Sequence, residues 1–164
     1  MSILNGRHAA ARDSAARDGV EASASMLDTR ELGAIFLGGA AGSLLRVWLE
    51  QTLTSPAGSW PWATFIVNVT GCFALALIAT HLRERPPESP HWHPLLGTGF
   101  CGAYTTFSTM QLETLRMLDH DRLGLALAYA GVSLAAGYLA IAAGATLLRR
   151  AHAVAARRAQ ETTS

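Results

Sequence analysis

The polar residues of the stretch 97–113 are the part of the chain best suited to chemistry. Three glycines are followed by four hydroxyl residues in the middle of an otherwise apolar run: Gly97, Gly99 and Gly102, then Thr105, Thr106, Ser108 and Thr109. Such a run can pack helices closely through small and hydroxyl residues. It can equally be a broken helix whose freed carbonyls coordinate a cation while its hydroxyls line an ion path. Composition alone leaves both interpretations open.

Two other apolar runs also carry isolated polar residues at helical spacing. Thr64, Asn68 and Gly71 share one helical face, and Tyr129 and Ser133 share another. A buried asparagine in hydrocarbon costs roughly 2–7 kcal/mol unless it is hydrogen-bonded. These residues therefore either join helices or mark a transport path.

The remaining candidates give little support to catalysis. Arg46 follows the close-packing motif Gly38-x-x-x-Gly42, and it either reaches the membrane interface or lends positive potential to an anion vestibule. His91 and His93 lack a third metal ligand nearby, so we expect a solvated loop. No nucleophile–base or metal constellation is visible, which predicts that the chain is not an enzyme. The glycine spacing G-x-G-x-x-G follows no strand, so we expect no organic cofactor.

The elements that must position these residues are four apolar runs, at 32–49, 60–82, 94–112 and 123–148. A bilayer core about 30 Å thick needs about 20 helical residues, and each run is near that length. The runs are too long and too rich in alanine and leucine for strands. The sequence therefore predicts an all-α membrane protein with four transmembrane helices.

The flanks of these runs are polar. The sequence predicts three regions: a disordered N-terminal tail at 1–30, the transmembrane domain at 31–150 and a polar C-terminal tail at 151–164. The net charge of +1 gives no basic face for nucleic acid. Arginines near the ends of the runs slightly favour cytoplasmic termini. The predicted location is the cell (inner) membrane, with several spans in the lipid bilayer.

Three motifs in order resemble one known family. Gly-Phe-Cys-Gly-Ala-Tyr-Thr-Thr-Phe-Ser-Thr at 99–109, Gly-Gly-Ala-Ala-Gly-Ser-Leu-Leu-Arg at 38–46 and Thr-Phe-Ile-Val-Asn-Val-Thr-Gly at 64–71 closely resemble the Fluc (CrcB) fluoride channels. The similarity spans roughly residues 33–148. It implies a passive fluoride-selective channel that exports the fluoride ion from the cytoplasm. It further implies an antiparallel, dual-topology homodimer with two pores and one central structural sodium ion.

The resemblance also implies roles for individual residues. The sodium ion would be held by backbone carbonyls of Gly102 and Thr105, at a break in the third helix near 102–105. Arg46 would lie in the pore vestibule. The implied fluoride-pore residues are Asn68, Phe107, Ser108, Thr109 and Tyr129, and Met110 is expected to line the pore where the family usually has a second phenylalanine. Thr64, Glu113 and Ser133 are structural or pore-mouth candidates.

Two alternatives to a channel come from different protein classes. A small four-helix multidrug or cation exporter couples to protons through a membrane-embedded acid, normally in its first helix. The first run here contains no acid and only Arg46 as a charged residue. A non-transporting membrane scaffold would use the intramembrane polar residues only to join helices. A fluoride efflux assay separates both alternatives from the channel.

Overall fold

The structure is a computed structural model that describes residues 29–85 and 89–161. Residues 1–28, most of the predicted N-terminal tail, lie outside the described residues. The described part is helical and contains no strand. Its elements are α1 (Thr29–Thr52), α2 (Trp62–Glu84), α3 (a π-helical segment, His93–Cys101, followed by one α-helical turn, Gly102–Tyr104), α4 (Phe107–Asp119) and α5 (Leu123–Glu161).

Three of these helices, α1, α2 and α5, are long and apolar enough to cross a membrane. Many of their large apolar side chains are exposed; Phe36 on α1, for example, is 75% exposed. Apolar exposure on this scale suits a lipid environment rather than water. The structure does not confirm four continuous membrane helices. The third apolar run consists of two shorter pieces, α3 and α4, because helical backbone pairing is interrupted at Thr105 and Thr106.

The helices run in alternating directions when α3 and α4, which follow each other in the same direction, are taken as one unit. On the α1–α3 pair, Gly38 lies against Leu95 and Gly42 lies against Phe100, so these two helices are parallel. On the α2–α5 pair, successive contacts from Cys72 to Glu84 meet successive residues of α5, so these two are also parallel. The starts of α1 and α3 and the ends of α2 and α5 therefore share one end of the molecule, the terminal end. The α1–α2 loop and the α4–α5 turn form the other, the loop end.

The contact of α1 with α3 is backbone against backbone. A Cβ atom at Gly38 would collide with the Leu95 carbonyl, and one at Gly42 would collide with the Phe100 carbonyl. A Cβ atom at Gly99 would lie 2.6 Å from the Ile35 carbonyl oxygen. Only glycine permits this approach, which is the packing that the G-x-x-x-G spacing predicts.

The final helix is much longer than its membrane-crossing part. α5 contains 39 residues and continues to Glu161, so most of the segment predicted as a polar C-terminal tail is helical. The uncharged run ends at Leu148, and the predicted boundary between the transmembrane domain and the C-terminal tail rests on this change in charge. Arginine and alanine are both strong helix formers, and no glycine or proline interrupts 149–161, so the helix continues past the apolar run.

Candidate functional site

The candidate site is built around the interruption between α3 and α4. Thr105 (φ −78°, ψ 155°) and Thr106 (φ −147°, ψ 114°) have extended backbone, while Gly102 remains helical. The break therefore lies at the end of the predicted interval 102–105 and one residue beyond it. The Thr105 hydroxyl donates to the Cys101 carbonyl at 3.0 Å, which closes the last turn of α3. Polar backbone groups at this break need partners from outside the helix.

Asn68 of α2 supplies those partners. Its side-chain amide donates to the Thr106 carbonyl at 2.9 Å, and its Oδ1 accepts from the Thr106 N–H at 2.8 Å. This paired arrangement satisfies both backbone groups of the extended residue. Gly71, on the same face of α2, leaves room for the Thr105 methyl group, which a Cβ atom would displace. The predicted polar face of α2 thus lies against the break.

Thr106 also begins the next helix. Its Oγ1 accepts from the Thr109 N–H at 3.2 Å and donates to the Thr109 hydroxyl at 2.8 Å. A threonine in this position is a favourable helix N-cap. The Ser108 hydroxyl lies 3.4 Å from the same oxygen and is exposed. The hydroxyl residues of this segment thus cap α4 and cluster at its first turn.

The break also redirects two backbone N–H groups away from the carbonyls predicted to bind sodium. In a continuous helix, the Gly102 carbonyl would accept from the Thr106 N–H, and the Thr105 carbonyl from the Thr109 N–H. Here the Thr106 N–H donates to Asn68, and the Thr109 N–H donates to the Thr106 hydroxyl. Neutral carbonyl oxygens at a helix C-terminus suit a hard monovalent cation. The donor set of Gly102 and Thr105 is therefore compatible with sodium.

A cavity of about 390 Å³ opens beside the break, between α2, α4 and α5. We call it the break cavity, and its polar lining includes Asn68, Thr105 and Ser133. The Ser133 hydroxyl has no hydrogen-bond partner among the described residues and is buried, so it remains available to a small ligand. Phe107 (63% exposed) and Tyr138 (73% exposed) form part of the wall, so in one chain this side of the cavity is open.

A second cavity of about 280 Å³ lies at the loop end. We call it the loop cavity; Thr109, Glu113 and Arg116 of α4 line it together with the α1–α2 loop. Glu113 joins three helices, because its carboxyl accepts from Thr64 of α2 at 2.8 Å and from Tyr129 of α5 at 3.0 Å. Glu113 therefore makes hydrogen bonds between helices and also lines the loop cavity, and its position at a pore mouth stays a prediction.

The Tyr129 side chain is fully buried and held on two sides. Its hydroxyl binds Glu113, and its ring meets the Trp60 indole edge-on, with centroids 5.3 Å apart. Met110 is 8% exposed, packs in the same cluster and also lines the break cavity. Its predicted place in a fluoride pore stays a prediction.

Most of the predicted site residues come together at these two cavities. Asn68, Phe107, Met110 and Ser133 line the break cavity, and Thr109 lines the loop cavity with Thr64 and Glu113. Four predicted site residues line neither cavity: Arg46, Gly102, Ser108 and Tyr129. Arg46 is half-buried, and its Nε has no hydrogen-bond partner among the described residues.

Sequence reasoning missed two contributors. One is Thr106, which is both the partner of Asn68 and the N-cap of α4. The available signal was a threonine immediately before a helical turn, a common N-cap. The other is Trp60, which is half-buried against Tyr129 and Phe65, with a buried indole nitrogen that has no partner among the described residues. No local sequence signal predicts these contacts.

Comparison with known proteins identifies the family. Residues 33–145 match the family model described as CrcB-like protein, Camphor Resistance (CrcB). A relative from Mycolicibacterium paratuberculosis, named fluoride-specific ion channel FluC 1, is 53% identical over 123 residues, which cover 75% of this chain and 93% of the relative. The fluoride-specific ion channel FluC of Acidobacterium capsulatum is 46% identical over 111 residues, covering 65% and 86% of the two chains. The matched region contains both cavities and the break, and the chain belongs to the CrcB family.

Proposed function

We propose that this chain is a passive fluoride-selective channel of a cell membrane. The observation that carries the proposal is the 53% identity to a relative named as a fluoride-specific ion channel, over 93% of that relative's length. The matched residues include Asn68, the break and Glu113. Because the chain belongs to this family and has three long apolar helices, it is a multi-pass membrane protein and a channel, not an enzyme.

The break cavity has the chemistry that fluoride requires. Fluoride is small and strongly hydrated, so a conducting path must replace water with hydrogen-bond donors. The unpartnered Ser133 hydroxyl is one donor, and the Phe107 ring offers its electropositive edge. Asn68 holds the wall in place, because both of its amide atoms are bound to Thr106. None of the residues that line the break cavity carries a charge, so no carboxylate repels an anion there.

The loop cavity is the proposed entrance to the path. Arg116, Glu50 and Glu113 lie on its wall, and the Thr109 hydroxyl, which accepts from Thr106, donates no hydrogen bond to the described residues. The Glu113 carboxyl is turned toward Thr64 and Tyr129, which leaves it engaged by two donors. Arg116 and the Thr109 hydroxyl are the groups at this mouth that attract an anion, whereas the Glu50 carboxylate opposes its entry.

The functional unit is proposed to be an antiparallel homodimer. The open wall of the break cavity, with Phe107 and Tyr138 largely exposed, is where a second copy would complete the enclosure. Gly102 is exposed as well, so its carbonyl can contribute to a site shared by two copies. We assign the central sodium ion to the Gly102 and Thr105 carbonyls, with a structural role. We also propose that the third apolar run, which comprises α3 and α4, crosses the membrane, so that the chain crosses it four times.

The test is fluoride efflux from liposomes containing the purified full-length chain, followed with a fluoride electrode. Fluoride release with chloride retained is the expected result. No release from folded dimers would refute the channel. The sodium assignment is tested separately by comparing thermal unfolding in sodium chloride and in choline chloride. A higher unfolding temperature in sodium is expected, and equal temperatures would refute the sodium site without affecting the channel proposal.

A further inference from the structure

The end of α5 extends well beyond the membrane. The helix is about 58 Å long at 1.5 Å per residue, whereas a bilayer core is about 30 Å thick. Its uncharged part, 123–148, is itself about 39 Å long by the same measure. Leu147 therefore lies at the level of the membrane interface, and Arg150 is the next basic residue beyond it on that side of the helix.

The terminal end of the molecule is strongly basic. Among the described residues it carries seven arginines and three carboxylates, whereas the loop end carries three arginines and four carboxylates. The terminal-end arginines are Arg30, Arg83, Arg85, Arg149, Arg150, Arg157 and Arg158. One of the three carboxylates, Glu84, is already bound by His152 at 2.6 Å and Arg149 at 3.7 Å. Positive charge at this end is therefore in excess.

Part of this charge flanks an apolar groove on α5. Its apolar floor is formed by Leu147, Ala151, Val154 and Ala155, Arg150 and Arg158 also line it, and its volume is about 620 Å³. Leu147 is 58% exposed and Val154 is 50% exposed, so the floor is not covered by the described residues of the chain. The groove is continuous with the lipid-facing surface, because Leu147 belongs to both.

We propose that this groove binds an anionic phospholipid. Its acyl chain would lie along the membrane-level floor at Leu147, and its phosphate would bind Arg150, with Arg158 on the same face adding positive potential. Guanidinium groups pair well with phosphate oxygens, in up to two parallel hydrogen bonds. A basic cluster immediately outside a membrane helix attracts anionic lipid headgroups. This site lies outside the proposed fluoride path, and only the comparison with a second copy rests on the proposed antiparallel homodimer.

Other occupants fit the groove less well. The N-terminal segment 1–28 carries three arginines and four carboxylates, so it lacks a strong negative charge to match the groove. A second copy in the antiparallel arrangement would place its own groove at the opposite membrane face, where the two could not meet. A zwitterionic lipid would cover the apolar floor, but its net neutral headgroup would gain no net electrostatic attraction from Arg150 and Arg158.

The test uses the full chain with Leu147→Trp as a reporter, reconstituted in phosphatidylcholine bilayers. Quenching of the added fluorescence by brominated phosphatidylglycerol is compared with quenching by brominated phosphatidylcholine. We expect the anionic lipid to bind more tightly, by about fivefold for each arginine that contributes. Arg150→Gln and Arg158→Gln should each reduce the preference by about that factor, and together should abolish it.

Matched controls locate the effect. Arg116→Gln and Arg122→Gln, at the loop end, should leave the preference unchanged. Equal quenching by both lipids in the parent chain would overturn the proposal. A preference that appears only after deletion of residues 2–28 would identify the N-terminal segment as the occupant and would also overturn it. So would quenching that depends on the protein-to-lipid ratio, which would indicate a second copy.

Discussion

The pairing of Asn68 with Thr106 gives the most direct test of the site. Replacement by leucine keeps the number and branching of the side-chain heavy atoms but removes both hydrogen bonds to the extended backbone. Each buried group left without a partner costs about 1–3 kcal/mol. Two such groups set an upper limit of about 6 kcal/mol on the loss.

The lower limit comes from membrane proteins themselves. Side-chain hydrogen bonds between membrane helices contribute on average about 0.6 kcal/mol each, because the unfolded state in lipid also finds partners. The backbone of Thr106 has fewer alternative hydrogen-bond partners, because α3 ends before this residue and α4 begins after it. We therefore expect Asn68→Leu to lower the free energy of unfolding by about 2–4 kcal/mol, between these two limits.

The assay is reversible unfolding in mixed micelles by dodecyl sulfate, followed by circular dichroism. Thr146→Val is the matched control, because the Thr146 hydroxyl only bonds to a carbonyl of its own helix, and a change below about 0.5 kcal/mol is expected there. An unfolding free energy within 0.5 kcal/mol of the parent for Asn68→Leu would refute the reasoning. Loss of fluoride efflux with unchanged stability would instead make Asn68 a pore donor with no structural role.

Three further perturbations test the surroundings of the site. A double-mutant cycle between Glu113→Gln and Tyr129→Phe should give a coupling of about 1–3 kcal/mol in unfolding experiments, and additive effects would show that their contact contributes nothing. Gly42→Val should destabilise the chain by at least about 2 kcal/mol through collision with a backbone carbonyl of α3, whereas Gly131→Val, where nothing lies within 4 Å, should cost much less. Met110→Phe should keep fluoride efflux within about threefold of the parent and cost less than about 1.5 kcal/mol, because the break cavity offers space. Complete loss of efflux from a stable Met110→Phe dimer would contradict a pore-lining position.

Local patterns in the sequence predict much of the architecture. Apolar runs of membrane length locate α1, α2 and the first part of α5, because the bilayer imposes both length and composition. The glycines and hydroxyls of 97–109 leave close helix packing and a broken helix both open, and the resemblance to the fluoride channels is what predicts the break. Helical spacing also places Thr64, Asn68 and Gly71 on one face, and all three contact α3, α4 or the break between them.

Other features depend on tertiary contacts that a local pattern does not contain. Asn68 and Thr106 are 38 residues apart, and nothing near either residue specifies the pairing. The ring of Trp60 packs on Tyr129, which is distant in the chain, and no local pattern predicts this contact. The end of α5 was missed for a different reason. A change from apolar to charged residues marks the end of a membrane run, but helix propensity continues unchanged across Arg149.

The order of Asn68 and Thr106 along the chain has a consequence for biogenesis. Membrane segments leave the ribosome from the N-terminal end, so α2 is synthesised before the break between α3 and α4. The amide that satisfies Thr106 is therefore already present when this segment reaches the bilayer. A circular permutation that placed 89–119 ahead of α2 would deliver the same residues without that partner. Such a permutant should insert poorly and be degraded even though its folded contacts would be identical.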